Sequence, residues 1–155
     1  MKRMNPLIDV IDKKRIIFLE CVTKEKALNT LIENMSDTSE IIDKDELAAG
    51  IFHREELMST GIGLGIAVPH VRLGSVKHIV MAIGICRDSI SDYETLDGTP
   101  VNFIFMIVAG KEQHEKHLKL LSTISSLLKE ESLRARLLRA EDVDEIYSLL
   151  TDKES

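Results

Sequence analysis

Two nearly continuous apolar runs, residues 79–86 (IVMAIGIC) and 101–108 (VNFIFMIV), most constrain how this chain can fold. A strand with one wet face alternates apolar and polar residues. These runs do not alternate, so each reads as a strand covered on both faces. The cover has to come from helices, and the flanking sequence supplies them. Thr23 can cap a helix in which Ala27, Leu28, Leu31, Ile32 and Met35 recur at helical spacing, ending near Ser36. Asp43 can cap a second, with Leu47, Ala48 and Ile51 on its apolar face, running on towards Leu57. From His114 the period turns helical again. His117, Leu120, Leu121, Ile124, Leu127 and Leu128 share one face, and shorter helices follow around residues 132–138 and 142–149. Residues 16–19 read as a first strand and residues 7–11 as a short helical turn. Early helices, a central sheet and late helices give an α/β layered fold. The 155 residues fit one domain, 1–155, with its core over about residues 7–150.

Between the second helix and the first apolar run lies HREELMSTGIGLGIAVPHVR, residues 53–72. Ser59-Thr60-Gly61 stops the helix, and Gly61, Gly63 and Gly65 permit positive φ and close backbone approach. Ile66-Ala67-Val68 can enter a sheet, and Pro69 ends the run, which delivers His70 at the end of a short strand. On this reading the glycines leave loop N–H groups beside His70. Together with an Arg, hydroxyls and a His, such groups suit an anionic ligand, phosphate best. A Gly-rich loop with a surface His is the plainer reading of the same residues.

Net charge is −6, with Lys and Arg scattered rather than gathered on one face, so nucleic-acid binding has no electrostatic support. No apolar run reaches membrane-spanning length and nothing at the start resembles a signal peptide, which points to a cytoplasmic protein without direct membrane insertion. Cys21 and Cys86 lie far apart in apolar surroundings and read as two buried thiols of a reducing compartment. His114 and His117 have an H-x-x-H spacing, but nothing completes a ligand set, so neither a metal nor another cofactor is expected. His53 and His78 read as surface residues.

Residues 54–70 match R-E-x-x-x-S-T-G-I-G-x-G-I-A-[IV]-P-H without a break. This run resembles the active-site region of the enzyme IIA domains of the sugar phosphotransferase system, in the fructose, mannitol and nitrogen-regulatory family. The resemblance extends over roughly residues 7–150. It implies a central mixed sheet flanked by helices, and a phosphocarrier that takes a phosphoryl group from phospho-HPr on His70. In transport members the group passes to a cysteine of an enzyme IIB domain and then to a sugar. In nitrogen-regulatory members the phosphorylation state sets binding to regulatory target proteins.

A neutral imidazole near pH 7 can both accept and donate a phosphoryl group, so the chemistry suits His70. The family's second His opens the helix after the last long strand inside H-L-x-x-L. His117-Leu118-Lys119-Leu120-Leu121 matches, which implies a helper that donates to phosphoryl oxygens or orients His70. Arg54 can hold phosphoryl charge or a neighbouring carboxylate through its fixed fork of donors. Ser59 and Thr60 can hydrogen-bond the phosphoryl group, or simply cap the turn. Two positions depart from the pattern: Leu64 where a polar residue is usual, and Val71 where a small one is usual. Both are expected beside His70, where Leu64, Val71 and Leu73 can form an apolar docking surface.

Overall fold

A computed structural model of the chain describes residues 6–20 and 23–152. Its strands are β1 (Ile16–Phe18), β2 (Gly61–Gly63), β3 (Ile66–Ala67), β4 (His70–Arg72), β5 (Val80–Ile90) and β6 (Val101–Ala109). Its helices are α1 (Lys24–Met35), α2 (Lys44–Leu57), α3 (His114–Leu128), α4 (Glu131–Arg139) and α5 (Val143–Thr151), after a 3-10 turn at Pro6–Asp9 and another at Lys13–Arg15. The strands make one mixed sheet in the order β1-β5-β6-β3-β2, with β4 also pairing to β6.

The two apolar runs are the antiparallel central pair, in register with Ile83 opposite Phe105 and Met81 opposite Ile107. Successive strand residues point to opposite faces, so these runs feed two cores. Ala82, Cys86, Ile104, Met106 and Val108 pack with Leu28, Leu31, Ile32, Leu47 and Ile51 of α1 and α2. Met81, Ile83, Ile85, Phe103, Phe105 and Ile107 pack with Leu120, Ile124, Leu133, Leu137 and Ile146 of α3, α4 and α5. Burial on both sides is why the runs fail to alternate. Fully burying each Leu, Ile or Phe contributes about 1.5–3 kcal/mol, so the sheet is where stability is concentrated. Cys86 is buried in β5, and Cys21 falls outside the described residues. Among the described residues no helix is long and apolar enough to cross a membrane.

The helix starts follow local chemistry. Thr23 Oγ1 accepts from Lys26 N at 3.3 Å, and Asp43 Oδ1 from Asp45 N at 2.9 Å and Glu46 N at 3.3 Å. Asp142 Oδ1 accepts from Glu145 N at 2.8 Å. Each such cap satisfies a donor the helix cannot satisfy itself, a contribution of about 1 kcal/mol.

The segment after α2 departs from the sequence reading. Residues 61–67 form a β2–β3 hairpin whose turn runs through three positive-φ residues, Gly63 (103°), Leu64 (58°) and Gly65 (77°). Pro69 then interrupts the run, and His70 begins a new strand instead of ending one. β3 lies parallel to β6 opposite Phe103 and Ile104, while β4 lies parallel to it opposite Ile107, Val108 and Ala109. One long strand therefore carries both short ones end to end.

Candidate active site

His70 opens β4 directly against Ile107, deep enough in the sheet to fix its backbone. α2 crosses close above. A Cβ built on Gly50 would lie 2.7 Å from Val71 Cγ2, so any side chain at this position would displace Val71 or part α2 from β4. On the other side the first turns of α3 bring up His117. The two imidazole rings meet edge to face, with centroids 4.9 Å apart and planes at 70°. Arg54, in the last turn of α2, donates Nη1 to Met58 O at 2.7 Å and so closes the end of its helix. These side chains line a cleft of about 460 Å³ with Arg72, Leu57 and Leu118; His53 and His114 also line it.

The hydrogen bonding of His70 assigns its nitrogens. Nδ1 lies 2.7 Å from Val68 O. A carbonyl oxygen only accepts, so Nδ1 carries the proton and Nε2 keeps its lone pair. Burial lowers the pKa of His70, the bond to Val68 O opposes it, and the nearby charges add to both sides: Arg54 and Arg72 lower it, Glu55 raises it. His117 is only 4% exposed. Burial, with the positive charge available to His70, Arg72 and His114, pushes its pKa down to about 4. Both imidazoles are therefore neutral near pH 7, in a cleft that Arg54 and Arg72 also line. Among the described residues no hydrogen-bond partner reaches His117 Nε2. A buried polar atom without a partner costs about 1–3 kcal/mol, which makes this ring a poor packing residue and a good ligand donor. No three His, Cys, Asp or Glu side chains among the described residues are grouped to hold a metal ion.

Arg54, His70 and His117 thus come together, and Ser59 and Thr60 do not line the cleft. Ser59 Oγ donates to Glu94 O at 2.6 Å. Thr60 is buried, with its hydroxyl donating to Glu55 Oε2 and lying 2.8 Å from Tyr93 OH. The glycine-loop N–H groups are also elsewhere. Leu64 N donates to Asp97 Oδ2 at 2.9 Å and Gly65 N to Thr99 Oγ1 at 3.1 Å. Thr99, through its hydroxyl, and then Leu64 N hold the Asp97 carboxyl well below the usual carboxylate range. The register separates Ile66 from His70 by four residues of β6, roughly 13 Å of strand. The expected cradle of loop amides beside His70 is therefore not present, because the hairpin turn uses them to bind its own neighbour.

The same offset corrects the apolar surface. Leu64 is exposed at the far end of β6, and Leu73 is buried in the α1–α2 core. Val71 does line the cleft, and the exposed apolar side chains at its edge are Leu57, at 69%, and Leu118, at 52%; Met58 next to Leu57 is similarly exposed. Two participants lacked any role in the sequence reading. Arg72 shares a strand face with His70 through the two-residue period. Glu55 continues the buried Leu47–Ile51 stripe at four-residue spacing, a signal that its charge disguises.

Residues 9–153 match the family described as phosphoenolpyruvate-dependent sugar phosphotransferase system, EIIA 2. The fructose-specific EIIA component of Haloferax volcanii is 30% identical over 152 residues, covering 94% of this chain and 98% of that protein. The fructose-specific EIIABC component of Bacillus subtilis is 36% identical over 132 residues, 85% of this chain, but the chain spans only 21% of that longer protein. The crystal structure of the nitrogen regulatory protein IIA-Ntr from Neisseria meningitidis superposes with a TM-score of 0.85 at 26% identity, covering 94% of this chain and 99% of that one. With this mixed sheet and this sequence match, the chain belongs to the EIIA type 2 family of the phosphoenolpyruvate-dependent sugar phosphotransferase system.

Proposed function

We propose that this chain is a cytoplasmic phosphohistidine carrier, in which His70 Nε2 takes a phosphoryl group from phospho-HPr and passes it to an enzyme IIB cysteine in sugar uptake. The observation that carries the reading is the Nδ1 contact to Val68 O, which leaves Nε2 as the nucleophile in a cleft lined by Arg54 and Arg72. The Nε2 lone pair forms the new P–N bond as the P–N bond to the donor histidine breaks, and the donor imidazole recovers its electron pair. No proton has to move at His70. The product ring is an Nδ1–H imidazolium, and Val68 O stabilises that proton while the phosphoryl group is held. The transferring group keeps its charge on peripheral oxygens, so catalysis is mainly positioning and electrostatics. Arg54 supplies fixed positive charge, and His117 donates Nε2–H to a phosphoryl oxygen, giving that atom its missing partner. Ser59 and Thr60 support the site by holding the turn that ends α2. The exposed Leu57, Met58 and Leu118 provide the apolar rim on which partner proteins dock.

The similarity to a nitrogen regulatory IIA protein over nearly its whole length favours a second reading. There the phosphoryl charge on His70 switches binding of a regulatory target at the same rim, without onward transfer. Charging the protein with phosphoenolpyruvate, enzyme I and HPr and then adding enzyme IIB separates the two. Phosphoryl loss to the IIB cysteine supports transport. A stable phosphoprotein whose affinity for a target differs from that of the unphosphorylated form supports regulation.

A further inference from the structure

A buried acidic residue outside the cleft is linked to His70 by successive hydrogen bonds through the backbones of Thr60 and Val68. Glu55 is 8% exposed and faces away from the cleft, where Lys24 Nζ pairs with its Oε1 at 2.9 Å. Its two oxygens also take both donors of one residue: Thr60 N at 3.2 Å and Thr60 Oγ1. Tyr93 completes the cluster. Thr60 Oγ1 spends its single proton on Glu55, so the Tyr93 hydroxyl donates to Thr60 at 2.8 Å, while Lys24 Nζ lies 4.4 Å from the Tyr93 ring centre. Thr60 O then accepts from Val68 N at 3.0 Å, and Val68 O accepts from His70 Nδ1 at 2.7 Å. Each link crosses from one short element to the next: the end of α2, the start of β2, the end of β3 and the start of β4.

We propose that Glu55 is the positioning residue for His70, fixing the backbone of Thr60 and through it that of Val68, so that the proton stays on Nδ1 and the lone pair on Nε2. This rests on the reading of His70 as the phosphoryl acceptor for its functional meaning, but not for its geometry. Hairpin β2–β3 is held on one side by β6 and residues 94–99, and among the described residues its hydrogen bonds to α2 are the two that Thr60 gives this carboxylate. If the hairpin slips, Val68 O moves off Nδ1, and the imidazole can take its other tautomer, which has no lone pair on Nε2. The charge of Glu55 also acts on His70 in the direction of a more basic ring.

The test uses the full chain labelled with ¹⁵N-histidine. Long-range ¹H–¹⁵N spectra at pH 7.5 report the His70 tautomer without any phosphoryl donor, and charging by phospho-HPr is timed separately. Wild type is expected to show Nδ1–H alone. Glu55→Gln and Thr60→Val are expected to give a tautomer mixture and charging slowed roughly ten- to a hundredfold, as for a nucleophile held off its geometry. Lys24→Met is the control for simple destabilisation, since it removes the ion pair but leaves the chain of bonds; it should lower the unfolding midpoint and keep the Nδ1–H tautomer. A wild-type tautomer in both Glu55→Gln and Thr60→Val, with the fold intact, overturns the proposal. So does an equal tautomer change in Lys24→Met. A tautomer change in a protein that phospho-HPr never charges sustains the positioning role while overturning the phosphocarrier reading.

Discussion

Gly50→Ala is the sharpest single perturbation of the site that deletes no cleft side chain. In an exposed helix the change would stabilise by about 0.8–1.0 kcal/mol, because alanine surrenders less backbone freedom on folding. Here the new Cβ would lie 2.7 Å from Val71 Cγ2 and 3.6 Å from Val71 Cβ. Ordinary carbon contacts begin near 3.5 Å, so α2 and β4 have to part by about 0.8 Å or Val71 has to leave its rotamer. Overpacking of that size costs about 1–3 kcal/mol, which outweighs the helix gain and leaves a net loss of about 0–2 kcal/mol. The functional effect is larger, because Val71 adjoins His70 and a displacement near 1 Å at a reacting group lowers rate by about a hundredfold. Adding Val71→Ala removes the obstructing methyl and leaves the two Cβ atoms in normal contact. Denaturant unfolding and the rate of charging by phospho-HPr, measured across the four-member cycle, should show the double variant recovering most of the lost rate. A Gly50→Ala protein that is stabilised by about 1 kcal/mol and charges at the wild-type rate would refute the close α2–β4 contact.

Protonation of His117 should be visible in stability. Its pKa is depressed to about 4 in the fold, so the unfolded chain binds the proton first as pH falls; stability is lost between about pH 6.5 and 4, by on the order of 3 kcal/mol. Urea midpoints across that range should fall less steeply for His117→Asn, and an equal slope would contradict the buried neutral ring. Arg54→Ala removes both cleft charge and the cap on Met58 O; it should slow charging roughly ten- to a hundredfold and lower stability by about 1 kcal/mol, whereas an unchanged charging rate would place the charge requirement on Arg72. Leu118→Asp at the cleft edge should raise the apparent KM for phospho-HPr at least about tenfold, or 1.4 kcal/mol, while Leu64→Asp at the far end of β6 should leave it unchanged. The reverse pattern would move the docking surface to the hairpin.

Local signals and hydrophobic period carried most of the architecture. Thr23 and Asp43 do cap α1 and α2, and the stripe 27-28-31-32-35 is the buried face of α1, because capping and helical spacing are properties of a few adjacent residues. The same period placed His117 on the inner face of α3 and the two apolar runs at the centre of the sheet. Long-range pairing was not legible. Whether residues 61–67 are a loop or a hairpin depends on Phe103 and Ile104 offering an edge, and that contact lies some forty residues away. Ile66 and Ala67 read correctly as entering a sheet, but reading residues 61–65 as a loop placed Leu64 and unoccupied amides beside His70, and the register carries them down the strand instead. Glu55 was hidden for a different reason. A charged residue near a helix end normally faces water, and only the partners Lys24, Thr60 and Tyr93, drawn from three other segments, make its burial tolerable.

The most direct test of His70 as carrier is to charge uniformly ¹⁵N-labelled protein with phosphoenolpyruvate, enzyme I and HPr and to locate the phosphorus by its coupling to a ring nitrogen. One acid-labile phosphoryl group on His70 Nε2, with Nδ1 still protonated and no charging of His70→Ala, is the expected result. Phosphorus on Nδ1, or a wild-type protein left uncharged by phospho-HPr, would contradict it.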